Sequence, residues 1–204
     1  MSGCSRRSFW GVLAALAPML CAAQDAGAQQ PDRPLLLPTS DVVVTYRADN
    51  VSVNAPRMFR ITYTEAGERV RIDFFRWVEA KVPYKSVIFA HRENRLITVS
   101  PEQKAFTEDS AGDGNPGALL RADVMFSRQG KAVVAHAPCT EWLVQVPGNK
   151  DEQDSACVTD DGILLRLVSS KPNDLAMTAI AIRYGTPPDG TFDPPAGFKR
   201  QPGP

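Results

Sequence analysis

Few side chains in this sequence are equipped for chemistry, and their spacing limits what they can do. The stretch PCTEWLVQVPGNKDEQDSAC, residues 138–157, carries Cys139 and Cys157 with a tryptophan and several acids between them. Such a pair can serve as metal ligands, as a redox couple or as a covalent staple. A zinc site takes about four Cys or His ligands, or three and a water, and the chain adds only two histidines. His136 follows a strand-like run and precedes Ala137-Pro138, which reads as a surface turn, and His91 stands beside Arg92 at a hairpin turn. No metal site is expected. Asp151, Glu152 and Asp154 lack the alternating spacing and closing glutamate of a calcium loop and read as a solvated loop. Asp160 and Asp161 are neighbours in a turn. Glycosidase chemistry sets two carboxylates about 5 to 9.5 Å apart across a cleft, and nothing singles out such a pair. Neither a Gly-x-Ser-x-Gly elbow nor a Gly-rich phosphate loop between a strand and a helix is present. The expectation is a noncatalytic chain without a cofactor, the alternative being an enzyme whose groups the sequence does not reveal.

The compartment decides between the roles left to the cysteines. Residues 1–28 read as an export signal: Arg6 and Arg7, an apolar run from Phe9 to Ala23, and a small-x-small site at Ala26-Gly27-Ala28. A membrane span needs about 20 apolar residues, and this run is shorter and holds Pro18. Ser5-Arg6-Arg7-Ser8-Phe9 resembles a twin-arginine address, with the general export route as the alternative. Met19 and Leu20 before Cys21 are too large for a lipid-anchor site. Periplasmic or secreted localisation follows, with no stable membrane insertion after cleavage. Removing two arginines and one aspartate from 23 basic and 23 acidic residues leaves a charge near minus one, so no attraction to nucleic acid is expected. Outside the cytosol, a Cys139–Cys157 disulfide is expected. A redox couple more naturally places its thiols as Cys-x-x-Cys. The bridge closes a loop of about 18 residues, worth roughly 3 kcal/mol on the chain-entropy account.

The elements that must position these residues alternate with a period of two. At 204 residues and 43% hydrophobic, the chain can bury a core as one domain. Residues 29–40 are a proline-rich leader, 41–186 a curved sheet domain and 187–204 a proline-rich tail whose Phe192 and Phe198 can dock on the domain. DVVVTYR puts Val42, Val44 and Tyr46 on one face. MFRITYT sets Phe59, Ile61 and Tyr63 against Met58, Arg60 and Thr62, and RVRIDFF sets Val70, Ile72 and Phe74 against Arg69, Arg71 and Asp73. Further strands are expected in KSVIFAH, RLITVS, QKAFTE, KAVVAH, TEWLVQV, ACVTD, ILLRLVS and MTAIAIRY, with a type I′ turn at Asp161-Gly162. One short helix is expected in ALLRADVMF, capped by Asn115 with Pro116 in its first turn. Alternation puts Trp142, Val144 and Val146 on the face opposite Cys139.

The fold class expected is mainly β (α+β): an incomplete antiparallel barrel or strongly curved sheet of about ten strands with one short helix. Its apolar face would carry Tyr46, Phe59, Ile61, Val70, Ile72, Phe74, Trp142 and Val144, as a ligand surface or as plain core. The order of RMFRITY, GERVRIDF, VIFAHRENRLITVSPEQKAFTE, CTEWLV, ACVTDDGILLRL and PPAGFKR resembles a family of uncharacterised bacterial envelope proteins. In layout it is similar to the lipoprotein-carrier superfamily of LolA- and LolB-like proteins. That resemblance implies a half-open barrel that holds acyl chains, and hence a binding protein for a lipid or other hydrophobic ligand in the envelope. An adaptor or regulatory module that takes an envelope protein on an exposed strand edge is the alternative.

Overall fold

The structure, a computed structural model, describes residues 33–49, 56–112, 114, 117–148, 153–171 and 176–203, all within the unit Pro31–Pro204. Alternating sequence runs become strands because each hides one face: β1 (Val42–Asp49), β2 (Met58–Thr64), β3 (Arg69–Phe75), β4 (Lys85–Ala90), β5 (Arg95–Ser100) and β6 (Ala105–Ser110) form an antiparallel meander. A second meander comprises β7 (Met125–Val134), β8 (Ala137–Gln145), β9 (Gln153–Val158), β10 (Leu164–Val168) and β11 (Ala176–Tyr184). The two join where β1 pairs with β11. A two-residue strand, β12 (Lys199–Arg200), adds in parallel to β6. The described residues thus form one curved, unclosed sheet in the order β12-β6-β5-β4-β3-β2-β1-β11-β10-β9-β8-β7.

This topology forces two long crossings, one on each face. After β6 the chain stands at one side of the sheet and must reach β7 at the other. The described residues of that connection pass over the inner face, where Leu119, Leu120 and Val124 pack on the core. They do so without a helix: residues 117–124 are irregular and β7 has begun by Met125, which corrects the expected helix over ALLRADVMF. Apolar residues that cover a preformed surface need no 3.6-residue period. The expected capping residues, Asn115 and Pro116, lie outside the described residues. After β11 the tail crosses the outer face in the opposite sense. There Phe192 and Phe198 pack with Phe106 on Ile88, Ile97 and Val99, and the tail finishes along β6 through Lys199 N–H to Lys104 O (2.9 Å) and Gln201 N–H to Phe106 O (2.8 Å).

One turn differs from expectation. Thr159 to Ile163 does close β9 onto β10, but only Gly162 has positive φ (+90°); Asp161 does not. The loop is therefore not type I′ but a three-residue connection of the kind that puts glycine at its left-handed position. Glycine is doubly required there, because an added Cβ would collide with the Leu37 carbonyl oxygen. The type I′ signature falls instead on the β7–β8 hairpin, where Ala135 (φ 48°) and His136 (φ 64°) are both left-handed. The leader is docked from Arg33 on: Leu36 and Leu37 pack on the core, and Thr39 N–H donates to Asp161 O at 3.0 Å.

Candidate functional site

Strand register gathers the eight expected face residues into one cluster. Tyr46, Phe59 and Phe74 stand in a row across β1, β2 and β3; Val44, Ile61 and Ile72 form the next row, and Val42, Tyr63 and Val70 the third. Curvature brings Trp142 and Val144 of β8 against them. Seven of the eight are buried and Phe74 is partly buried. The Tyr46 and Phe59 rings stack with centroids 5.0 Å apart. Phe126 meets Trp142 edge-on at 6.3 Å, with the Arg128 guanidinium 4.9 Å from the indole.

The polar tips aimed into this cluster from β1 and β2 are phenols, and both are satisfied. Tyr46 donates to Leu164 O at 2.7 Å and Tyr63 to Gly117 O at 2.9 Å. Burial lifts both phenol pKa values well above the ordinary range, Tyr46 with a smaller contribution from Tyr63. Gly117 is held so near that a Cβ there would lie 2.7 Å from Val70 Cγ2. The inner face is thus a core roofed by irregular chain, residues 117–124 on one side and Leu36 and Leu37 on the other.

Cys139 and Cys157 are bonded, with Cα atoms 5.5 Å apart. Cys157 lies opposite Glu141, two positions from Cys139, so the bridge is diagonal and stands on the face opposite Trp142. That face is not open here, since the two cysteines are only 4% and 1% exposed. Arg166 and Glu141, the residues directly opposite Cys157 on its two neighbours, form an ion pair across it.

The remaining chemistry-bearing residues are dispersed. His91 and His136 are exposed at separate turns, and among the described residues no three His, Cys, Asp or Glu side chains gather in metal-ligating geometry. Asp151 and Glu152 lie outside the described residues. Asp154 accepts from Ser169 Oγ (3.1 Å) and Ser170 N–H (3.0 Å), which fixes the β9–β10 end. Asp161 accepts from Thr159 and from Tyr184 (2.9 Å), whose phenol is pushed up to about 12 by burial and then by that carboxylate.

One edge of the sheet has no further strand beyond it among the described residues. Strand β7 ends the sheet with β8 as its one strand neighbour among the described residues, and it is ten residues long. Met125 and Val133 on it are 50% and 71% exposed. Sequence reading placed only KAVVAH there and missed the first half of the strand, because MFSRQG lacks a clear alternation.

An open curved antiparallel sheet with its inner face roofed by connecting segments defines the class. Among solved structures, an uncharacterized conserved protein from Thermus thermophilus superposes with TM-score 0.55 at 8% identity, covering 80% of this chain and 91% of that one. MucB superposes with TM-score 0.52 at 11% identity, the match covering 79% of this chain and 59% of MucB's length. A complex of Pseudomonas aeruginosa MucA and MucB gives TM-score 0.49 at 11% identity, covering 76% and 56%. These likenesses are of fold. No protein-family model matches the sequence, and no curated protein does.

Proposed function

We propose that this chain is an exported, noncatalytic binding module that takes an extended segment of a protein partner along β7. The observation that carries this reading is the edge itself: ten residues of strand with no further strand beyond it among the described residues, with exposed Met125 and Val133. The strand carries Arg128, Lys131 and a bulge between Arg128 and Gly130, features that guard an edge against indiscriminate pairing, while its length leaves room for a specific guest, and strand addition is a standard mode of peptide recognition. The buried Cys139–Cys157 bridge supports export, because structural disulfides persist in oxidising compartments. MucB has been solved in complex with MucA; that is a fact about MucB, and the reading here rests on β7.

The test is site-specific photocrosslinking in the envelope from position 133, with position 82 as an exposed control. Crosslinks confined to position 133, mapping to one extended segment and lost when Met125→Glu is added, are expected. Equal crosslinking from both positions overturns the reading.

A second reading, binding of a lipid or other hydrophobic ligand, is favoured by one observation. The aromatic inner face is covered by irregular segments, with no strand across it among the described residues. Native mass spectrometry of protein purified from the envelope should then show bound lipid, and lipid-free protein from every preparation rejects it.

A further inference from the structure

The outer face holds a charged cavity that neither reading uses. Val43 lies opposite Arg183 of β11 on one side and Thr62 of β2 on the other, and Thr62 lies opposite Arg71 of β3. Two positions along, Thr45 faces Arg60, which faces Asp73. Alternation puts all these side chains on the outer face. The tail, at Pro187, Pro188 and Thr191, passes beside them and leaves a cavity of about 230 Å³.

Its charges do not balance. Three guanidinium groups line the space against the single carboxylate of Asp73. Asp73 is buried and fully engaged: Oδ1 accepts from Ser86 Oγ (2.6 Å) and Arg71 Nε (2.8 Å), and Oδ2 from Arg60 Nη2 (3.2 Å). Each nitrogen of Arg71 is also engaged, with Nη1 donating to Thr191 O at 2.9 Å and Nη2 to Ser86 Oγ at 3.4 Å. Arg71 therefore belongs to the framework that ties the tail to the sheet. Arg60 gives Asp73 only Nη2, so Nε and Nη1 remain, while its guanidinium is steadied 5.2 Å from the Phe75 ring centroid. Arg183 makes no ion pair or side-chain hydrogen bond with a described residue. Two positive charges thus converge on a concavity floored by the small side chains of Val43 and Thr62.

Like charges gathered in a partly desolvated recess repel, and an anion relieves the repulsion. Guanidinium forks match oxyanions because their parallel N–H groups meet two oxygens at once. A water occupies about 30 Å³ of liquid, so the recess admits several water volumes, while drug-sized sites begin near 300 Å³. We propose that this cavity binds a compact oxyanion of the phosphate class, free or as the end group of a larger molecule. Arg60 and Arg183 grip it from two sides and the Thr62 hydroxyl supplies a further donor, while Asp73 and Arg71 hold Arg60 and the tail in position.

The decisive experiment titrates inorganic phosphate into the purified chain by calorimetry at constant ionic strength. Saturable one-site binding is expected, weakened about tenfold by Arg183→Ala, the loss of one charge-assisted contact, and less by Arg183→Lys. Arg183 is exposed and has no partner among the described residues to lose, so the variant should melt like the parent in chloride. Sedimentation with phosphatidic acid vesicles against phosphatidylcholine vesicles separates the two sources. Phosphate binding accompanied by Arg183-dependent sedimentation assigns a lipid head group, and phosphate binding alone assigns a free anion. Absence of saturable heat, or an Arg183→Ala titration identical to the parent, overturns the proposal and leaves the β7 reading untouched.

Discussion

The phenol of Tyr46 donates a 2.7 Å hydrogen bond to the carbonyl oxygen of Leu164, a residue 118 positions further along the chain. One bond thereby fastens β1 of the first meander to β10 of the second across the inner face. Tyr46→Phe keeps the ring on Phe59 and leaves the buried carbonyl without this donor. A loss of about 1–2 kcal/mol is expected in chemical denaturation with an unchanged m-value.

The crossing segment is predicted to be sterically locked at Gly117. Gly117→Ala drives a methyl into Val70 and should cost about 1–3 kcal/mol. Combined with Val70→Ala, which vacates the colliding methyls, it should cost less than the sum of the two single changes. Additive effects in that double-mutant cycle would show that the contact is not made.

Alkaline pH offers a third test. Tyr46 and Tyr63 hold their protons in the fold beyond the pH, near 10, at which an unfolded chain releases them. Below that pH both states are protonated and the contribution to stability is complete. As pH rises above about 10 the unfolded chain sheds protons first, so stability must fall. Urea midpoints between pH 8 and 11 should decline at the top of the range, less steeply in Tyr46→Phe, and a flat profile would contradict the burial of both phenols.

The β7–β8 turn predicts a gain. Ala135 and His136 occupy left-handed backbone that costs an alanine about 1–2 kcal/mol. Ala135→Asn with His136→Gly supplies the pair that prefers this turn and should raise stability by about 1 kcal/mol, read as a higher melting temperature.

What the sequence made legible follows from what alternation encodes. The runs MFRITYT and RVRIDFF are β2 and β3 to the residue, because each side chain has one face to hide and a neighbour in register. Alternation also separated Phe59, Ile61 and Val70 from Arg60, Arg71 and Asp73, and placed Trp142 opposite Cys139. It could not show that the arginine-bearing face is itself covered. Phe192 and Phe198 dock as the sequence suggests, but from more than ninety positions beyond Ile88 and Ile97, and only that long-range contact fixes which face they cover. Arg183 joins Arg60 and Arg71 only through the β1–β11 pairing, a long-range contact with no local mark. The crossing segment misled for a related reason: Leu119, Leu120 and Val124 answer to the surface beneath them, so their spacing imitates a helix.

The tail's final run beside β6 has a consequence for assembly. With β12 on Ala105 and Phe106, and Gly203 lying against Asp109, residues 199–203 run along part of the β6 border. Strand pairing is therefore hindered at the start of β6. A guest strand on β7 gives a complex of fixed one-to-one stoichiometry, and a second copy joined β7 to β7 gives a closed two-fold pair. Under the β7 proposal, either product would leave only the tail-bordered β6 edge among the described residues, which disfavours fibre growth by further strand pairing.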